Sequence, residues 1–562
     1  MDRELRIKIG QRLVGGFPGK EMSPEFIRLV KEFKISNVIL FQYNVETGRQ
    51  LQILCRSIQE LVRTETGHGA FITIDQEGGV VTRLPEDSCN MPGAMAIAAT
   101  GEPENARLAA RITADELKAL GVNFNLAPIM DINNNMANPV IGVRSYGDTA
   151  ETVETYGCAA LEGYADGGIL AAVKHFPGHG DTAVDSHIGL PVIDKSLEEL
   201  EGLELVPFKA AIAKGVPAVM SSHILFPQLE PDQIPCTMSR RIITGLLKEK
   251  LGFRGLVVSD CLEMDAIKKY YGTAAGAVAA MAAGVDLLFI SHSASLMEET
   301  AQAVYHAVSC GKLSMAQMEE SAAKIIALKA KYAAQSRISE NYGSEQARLQ
   351  AADIRRKSIV LTQGSLFPLG DAPLFTGCAD YRATLASNLE NTQTSFPLFM
   401  ERTFPGHGIV TGKSPDEKEI KEIVEAARMS GSIVMCTYNG HLLPGQMALV
   451  QALALLKKPM MVVALRNPYD LSDLPAHVTG IAAWEYTVMT MEILADILAG
   501  RYIPTGCMPV ALHGKPTKEK PSMEEKPSME EKPSMKDKHS MRESLSIEEI
   551  LSEGKDLQGG SL

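Results

Sequence analysis

Residues 174–192 read KHFPGHGDTAVDSHIGLPV and bring His175, His179 and His187 together with Asp181 and Asp185, in a chain with only 12 histidines in 562 residues. Three kinds of chemistry use such a set: a metal cage of nitrogen and oxygen ligands, an acid/base pair, or a capped structural loop. Asp185 and His187 lie two apart among glycines, and a carboxylate beside an imidazole fixes its tautomer and raises its pKa toward working pH. The metal alternative, a zinc-dependent hydrolase using this His/Asp loop, has enough ligands. Against it, Pro177 and Gly178 impose a turn between the first two histidines, and there is no HExxH spacing on a helix face. A second candidate stands in VVSDCLEMDAI, where Asp260 ends an apolar run. A carboxylate there needs partners or a task, either capping the next helix or acting as a nucleophile.

The elements that must position these groups come next. Over about the first 335 residues, short apolar runs (NVILF, AFITI, NFNLAP, ILAAV, PAVMSS, GLVVS, DLLFI) alternate with segments such as ENARLAARITADELKAL and LEELEGLELVPFKAAIAKG, whose apolar spacing is near 3.6 and which end close to Gly. Alternation of this kind predicts parallel βα units, and a (β/α)8 barrel is the simplest closure at this length. Barrels of that class carry functional groups at the carboxyl ends of their strands. The six exits found here carry Asp75, Asp131, Lys174 with His175, His223, Asp260, and Ser291 with His292. They are expected to converge on one mouth.

The sequence divides into residues 1–335 as the barrel, 336–350 (SRISENYGSEQARLQ) as a polar linker, and 351–513 as a smaller αβα domain of parallel type built on KSIVLTQ, SIVMCTYN, PMMVVALRNPYD and GIAAWEY. Residues 514–562 contain KPSMEE, KPSMEE, KPSMKD and KHSMRE at a period of six. Such a composition predicts a disordered tail, because it has too little apolar surface to offset ordering entropy.

Composition then excludes several classes. A formal net charge of -13 argues against a nucleic-acid partner, which needs a basic surface. The start of the chain lacks the apolar core of a secretory signal, and no stretch has the apolar length of a membrane span. Nine cysteines stand singly with no CxxC pair, so neither a disulfide framework nor a zinc ribbon is expected; a cytoplasmic location fits.

Taken in order, IDQEGGVVTRL, NLAPIMDIN, NPVIGVRSYG, KHFPGHGDTAVDSHIGLPV and VVSDCLEM resemble the family-three glycoside hydrolases, specifically the β-N-acetylglucosaminidases of the peptidoglycan-recycling type. The resemblance spans the barrel, and TYNGHLLPGQ and ALRNPYDL are similar to the αβα domain of the two-domain members. It implies a retaining exo-acting enzyme without metal or cofactor, taking small N-acetylglucosaminides from peptidoglycan fragments or chitooligosaccharides. Asp260 would be the nucleophile, His187 the general acid/base, and Asp185 its orienting partner; Asp75, Arg83, Arg144, Lys174 and His175 would hold the sugar hydroxyls. Two positions depart from the pattern: Val80, where some relatives carry Arg, and Cys261, where Asp or Ala is usual. Phosphorolysis by the same covalent route, or β-glucosidase activity, are alternatives within the family, and oligomeric state is not legible.

Overall fold

The computed structural model describes residues 2–182, 189–333, 338–384, 386–388 and 394–512. Asp185, His187 and the repeat tail lie outside the described residues. Eight strands form a closed parallel barrel: β1 (Leu13–Gly15), β2 (Asn37–Leu40), β3 (Phe71–Ile74), β4 (Phe124–Asn125), β5 (Leu170–Phe176), β6 (Ala218–Ser221), β7 (Leu256–Cys261) and β8 (Leu287–Ile290). The barrel shuts where Leu13 pairs with Leu288. Seven of these strands coincide with the apolar runs above. β1 does not, because three residues are too few to show a period.

Each strand alternates between two cores. Leu170 and Ala172, Leu256 and Val258, and Leu287 and Phe289 fill the barrel interior, while Ala171, Val173, Val257 and Leu288 face the surrounding helices. The same period of two carries the inward face on to Lys174, Asp260 and Ser291 at the carboxyl ends. Local signals fix the helices. Glu104–Leu120 ends at Gly121 (φ 95°) and Ala150–Gly167 at Gly168 (φ 68°), left-handed positions that a side chain would strain. Residues 197–213 form two helices rather than the one expected. Leu197–Gly202 and Leu205–Ala213 are separated at Leu203 (φ -137°, ψ -83°), and Pro207 is tolerated because it falls in the first turn of the second.

A helix, Glu345–Ser358, occupies the second half of the segment read as a linker, capped by the Ser344 hydroxyl. It leads to a six-stranded sheet in the order β11-β10-β12-β13-β14-β9, formed by β9 (Val360–Gln363), β10 (Leu374–Cys378), β11 (His407–Thr411), β12 (Ile433–Thr437), β13 (Met460–Ala464) and β14 (Thr479–Ala482). Alternate residues of β12 and β13 feed two cores. Ile433, Met435, Met460 and Val462 pack with helices Glu417–Arg428 and Pro444–Ala454; Val434, Cys436, Met461 and Val463 pack with Phe396–Thr403 and Val488–Leu498. This is an αβα sandwich, but its sheet is mixed. β9 runs antiparallel to β14, a direction that residue pattern does not encode. β10 and β11 escaped the sequence reading because LFTGC is broken by glycine and HGIVT is largely solvent-facing.

The first sandwich core also takes in Met95, Ala96, Ala99 and Val143 of the barrel, so the two domains share apolar packing. At the opposite end, Ile325 of helix Met315–Tyr332 plugs the barrel interior. There the buried Arg12 donates to the Asp286 carbonyl (3.0 Å) and the Val285 carbonyl (2.6 Å), stitching β1 to the entry of β8. Arg12→Met should therefore destabilise the barrel by roughly 2–4 kcal/mol, since two buried carbonyls lose a charged donor. Turnover per folded molecule should stay unchanged. Thermal melting against specific activity checks this, and an unaltered melting temperature would remove Arg12 from the closure.

Candidate active site

A cavity of about 480 Å³ opens over the carboxyl ends of the strands, floored by the inner-layer residues Leu126, Met220 and Phe289. One wall is an ion network. Lys174 Nζ, almost fully buried, donates to Asp75 Oδ1 at 2.6 Å and Glu77 Oε1 at 2.7 Å. Arg144 grips both Glu77 oxygens at 2.8 Å. Burial works against charge on Glu77, Lys174 and Arg144, and their mutual attraction outweighs it. Glu77 is held well below the ordinary carboxylate range, and Lys174 and Arg144 are held above their ordinary values. The network joins β3, the loop after β4, and β5.

Beside it, Asp131 is fully buried. Its Oδ2 accepts His175 Nδ1–H at 2.7 Å, while Oδ1 accepts the amides of His175 (3.1 Å) and His179 (2.7 Å). Burial alone would raise its pKa, but His175 and these donors hold the carboxyl below its ordinary value. Burial, with His175 alongside, pushes the His179 imidazole down to about 4. His179 also contacts Thr182 Oγ1 at 2.9 Å.

Across the cavity, β7 delivers Asp260, half-buried, with Oδ1 accepting the Cys261 amide at 2.7 Å. β8 contributes Ser291 and His292, and the residues after β2 contribute Phe41 and Tyr43. Of the residues proposed from the sequence, Asp75, Arg83, Arg144, Lys174, His175 and Asp260 all line this one cavity. Asp185 and His187 lie outside the described residues. Two of the six strand exits do not reach the cavity. Asp131 lies beneath it, and His223 braces β7 from behind by donating Nε2–H to the Cys261 carbonyl at 3.0 Å.

The sequence reading passed over Glu77 and Glu263 and left open whether the second domain reaches the site. Glu77 had a signal, standing two residues after Asp75 in DQEGG on the same side of the chain. The second-domain contribution had none. Arg382, Ala386 and Ser387, from the loop after β10, complete the cavity rim. They are fastened there by Asn388, whose Oδ1 accepts the Thr82 amide (2.7 Å), whose amide donates to the Val80 carbonyl (2.9 Å) and whose Nδ2 donates to the Gly79 carbonyl (3.0 Å). Arg83, expected on sugar hydroxyls, donates to the Ala386 carbonyl at 2.5 Å and to the Thr82 carbonyl at 3.2 Å.

Two outcomes are expected. Asn388→Ala should free the rim and lower kcat/KM about tenfold, mainly through KM, with Asn388→Asp giving partial rescue; steady-state kinetics with unchanged constants would separate the rim from function. The second concerns pH. Unfolded His179 takes up a proton near its ordinary 6.5 while the folded ring waits until about 4, so stability falls as pH drops through that interval. Glu77 and Asp131, held below their ordinary 4.5 and 3.8, add stability present above those values and lost as pH falls through the depressed ones. Melting temperature should decline below about pH 6.5 and more steeply below about 4.5. His179→Gln should flatten only the upper limb, and an unchanged limb would refute the assignment.

Similarity to known proteins agrees with this architecture. Residues 4–328 match the description "Glycosyl hydrolase family 3 N terminal domain". The structure superposes with a TM-score of 0.84 on a glycoside hydrolase family 3 β-N-acetylglucosaminidase from Paenibacillus sp. str. FPU-7, at 38% identity, covering 90% of this chain and 99% of that one. "Beta-hexosaminidase A" of Pseudoalteromonas piscicida is 34% identical over 332 residues, 55% of this chain; the chain spans 56% of that relative's length. "Beta-hexosaminidase" of Stenotrophomonas maltophilia (strain K279a) is 33% identical over 298 residues, covering 52% of this chain and 86% of that one. With more than half its length matched to that N-terminal domain, the chain belongs to glycosyl hydrolase family 3.

Proposed function

We propose that the chain is a retaining, exo-acting β-N-acetylglucosaminidase that removes terminal β-linked N-acetylglucosamine from peptidoglycan fragments or chitooligosaccharides. The observation that carries this reading is the position of Asp260. It ends the inward face of β7 and faces a cavity whose other wall holds Asp75, Lys174 and His175. A carboxylate opposite a set of hydroxyl-binding groups is the arrangement that covalent glycoside cleavage needs. The names of the Paenibacillus and Pseudoalteromonas relatives, a β-N-acetylglucosaminidase and a β-hexosaminidase, support the N-acetylhexosaminide class. The pocket is floored by barrel residues, which favours taking one end of a glycan.

In the proposed reaction, Asp260 attacks the anomeric carbon, the glycosidic C–O bond breaks, and the leaving oxygen takes a proton from His187. Water then gives a proton to His187 and attacks the same carbon, releasing Asp260 and the sugar. The roles of His187 and Asp185 rest on the resemblance of the KHFPGHGDTAVDSH segment. They gain support from the other two histidines of that segment: His175 is committed to Asp131, and His179 is held neutral far below working pH. A histidine with an ordinary pKa near 6.5 suits proton transfer at neutral pH without the burial a carboxylate would need. Asp75, Lys174, His175, Arg144 and Arg83 fix the sugar, the last two through the ion network and the rim.

Asp260→Ala should abolish turnover of every β-N-acetylglucosaminide. His187→Ala should lose roughly a hundredfold to ten-thousandfold on natural sugars, whose leaving groups need protonation. On a nitrophenyl N-acetylglucosaminide the same variant should release a rapid burst of nitrophenol followed by a slow phase, since deglycosylation then lacks its base. Equal loss on both substrates without a burst would remove His187 from the acid/base role. Product analysis with and without phosphate separates hydrolysis from phosphorolysis.

A further inference from the structure

Part of the cavity wall is aromatic, and the sugar-binding groups described above leave it unused. Phe41, Tyr43 and His292 line the cavity as one stacked group. The Phe41 ring packs against the barrel interior and carries the other two: Tyr43 with centroids 5.4 Å apart and planes at 24°, and His292 at 4.7 Å and 30°. The Tyr43 hydroxyl lies 3.2 Å from His292 Nδ1, a bond that keeps these two rings side by side over Phe41. Phe41 is half-buried, whereas Tyr43 is 40% exposed and His292 is exposed. The group therefore climbs from the floor of the cavity to its mouth.

Both outer rings stand on braced backbone. Tyr43 belongs to the short helical turn Gln42–Asn44 after β2, which the buried Asn44 pins: its Oδ1 accepts the Phe41 amide at 2.9 Å and its Nδ2 donates to the Phe17 carbonyl at 2.9 Å. His292 follows β8 on backbone held by Glu263, which accepts the His292 amide at 2.6 Å and the Ser293 amide at 2.9 Å. Single exposed rings are common on protein surfaces, but a braced set inside a cavity is a preorganised contact surface that loses little entropy on binding. A pyranose chair offers a flat face of C–H groups. That face packs on an aromatic ring and leaves the hydroxyls at the sugar's edge for polar partners.

We propose that Tyr43 and His292 form the platform for the second sugar of the substrate, the one released when the glycosidic bond breaks. This rests on the activity proposed above. The terminal N-acetylglucosamine takes the depth between Asp260 and Lys174, and the next residue of a β-linked glycan emerges over the two rings. Tyr43 thereby favours a sugar leaving group through binding, while Asp260 acts on the bond itself.

The test compares two substrates on the full chain: N,N'-diacetylchitobiose, whose second sugar would reach the platform, and methyl β-N-acetylglucosaminide, whose methyl group would not. Tyr43→Ala should lower kcat/KM for chitobiose about tenfold more than for the methyl glycoside, mainly through KM. Tyr43→Phe keeps the ring and should recover most of that difference. In the Asp260→Ala background, calorimetry should show chitobiose, but not N-acetylglucosamine, binding about tenfold more weakly when Tyr43→Ala is added. Equal losses on the two substrates, or equal chitobiose affinity with and without Tyr43, overturn the platform and leave the activity standing. Failure of the unaltered chain to cleave either substrate overturns the activity and the platform with it.

Discussion

Two carboxylates and two cations, buried except for the partly exposed Asp75, hold one side of this barrel's mouth together. Asp75 and Glu77 leave β3, Arg144 leaves the loop after β4, and Lys174 ends the inward face of β5. Glu77, Arg144 and Lys174 would each be costly alone at that depth, and removing one partner of such a set leaves another uncompensated. The geometry is therefore all or none. Three strand exits are fixed relative to one another by groups that also present their remaining polar atoms to the cavity. Asp131 repeats the device one layer down, binding His175 through its ring and its amide.

The second domain enters as a structural participant in the cavity. The first sandwich core includes barrel residues, and Arg355 bonds Glu485, which in turn accepts the Gly93 amide of the barrel at 2.7 Å. Asn467 accepts the Val143 amide at 3.0 Å beside the loop that carries Arg144. The loops after β3 and β4 are thus clasped on their outer side by the sandwich and on their inner side by the ion network. That double hold lets long, glycine-rich loops keep a defined shape at a site where a small displacement would cost reactivity.

Much of this was legible beforehand, for identifiable reasons. The period of two along ILAAV and GLVVS continues to Lys174 and Asp260, so their inward placement followed from strand parity. Asp75 and Arg144 were found through the IDQEGG and VRSYG segments. Asp131 and His223 were expected at the mouth, because a polar residue after an apolar run looks the same whether it faces the cavity or braces it from behind. The bond from Arg83 to the rim was not legible, since its partner, the Ala386 carbonyl, is 303 positions away and is a backbone atom that any residue supplies. The antiparallel direction of β9 was invisible for a related reason: hydrophobic pattern reports which faces are buried, not which way a strand runs.

The rim formed by Arg382, Ala386 and Ser387 has an implication for how such a protein can change over generations. The floor of the cavity is made of close-packed barrel residues, where a substitution of even one methylene is felt throughout the core. The rim belongs to a loop of a different sheet, anchored by the side chain and amide of one asparagine and by backbone carbonyls. Insertions and exchanges in loops are tolerated far better than those in cores. Selection can therefore reshape what lies above the cavity independently of the strands that carry Asp260 and Lys174, so that the two halves of one pocket are free to diversify at different rates.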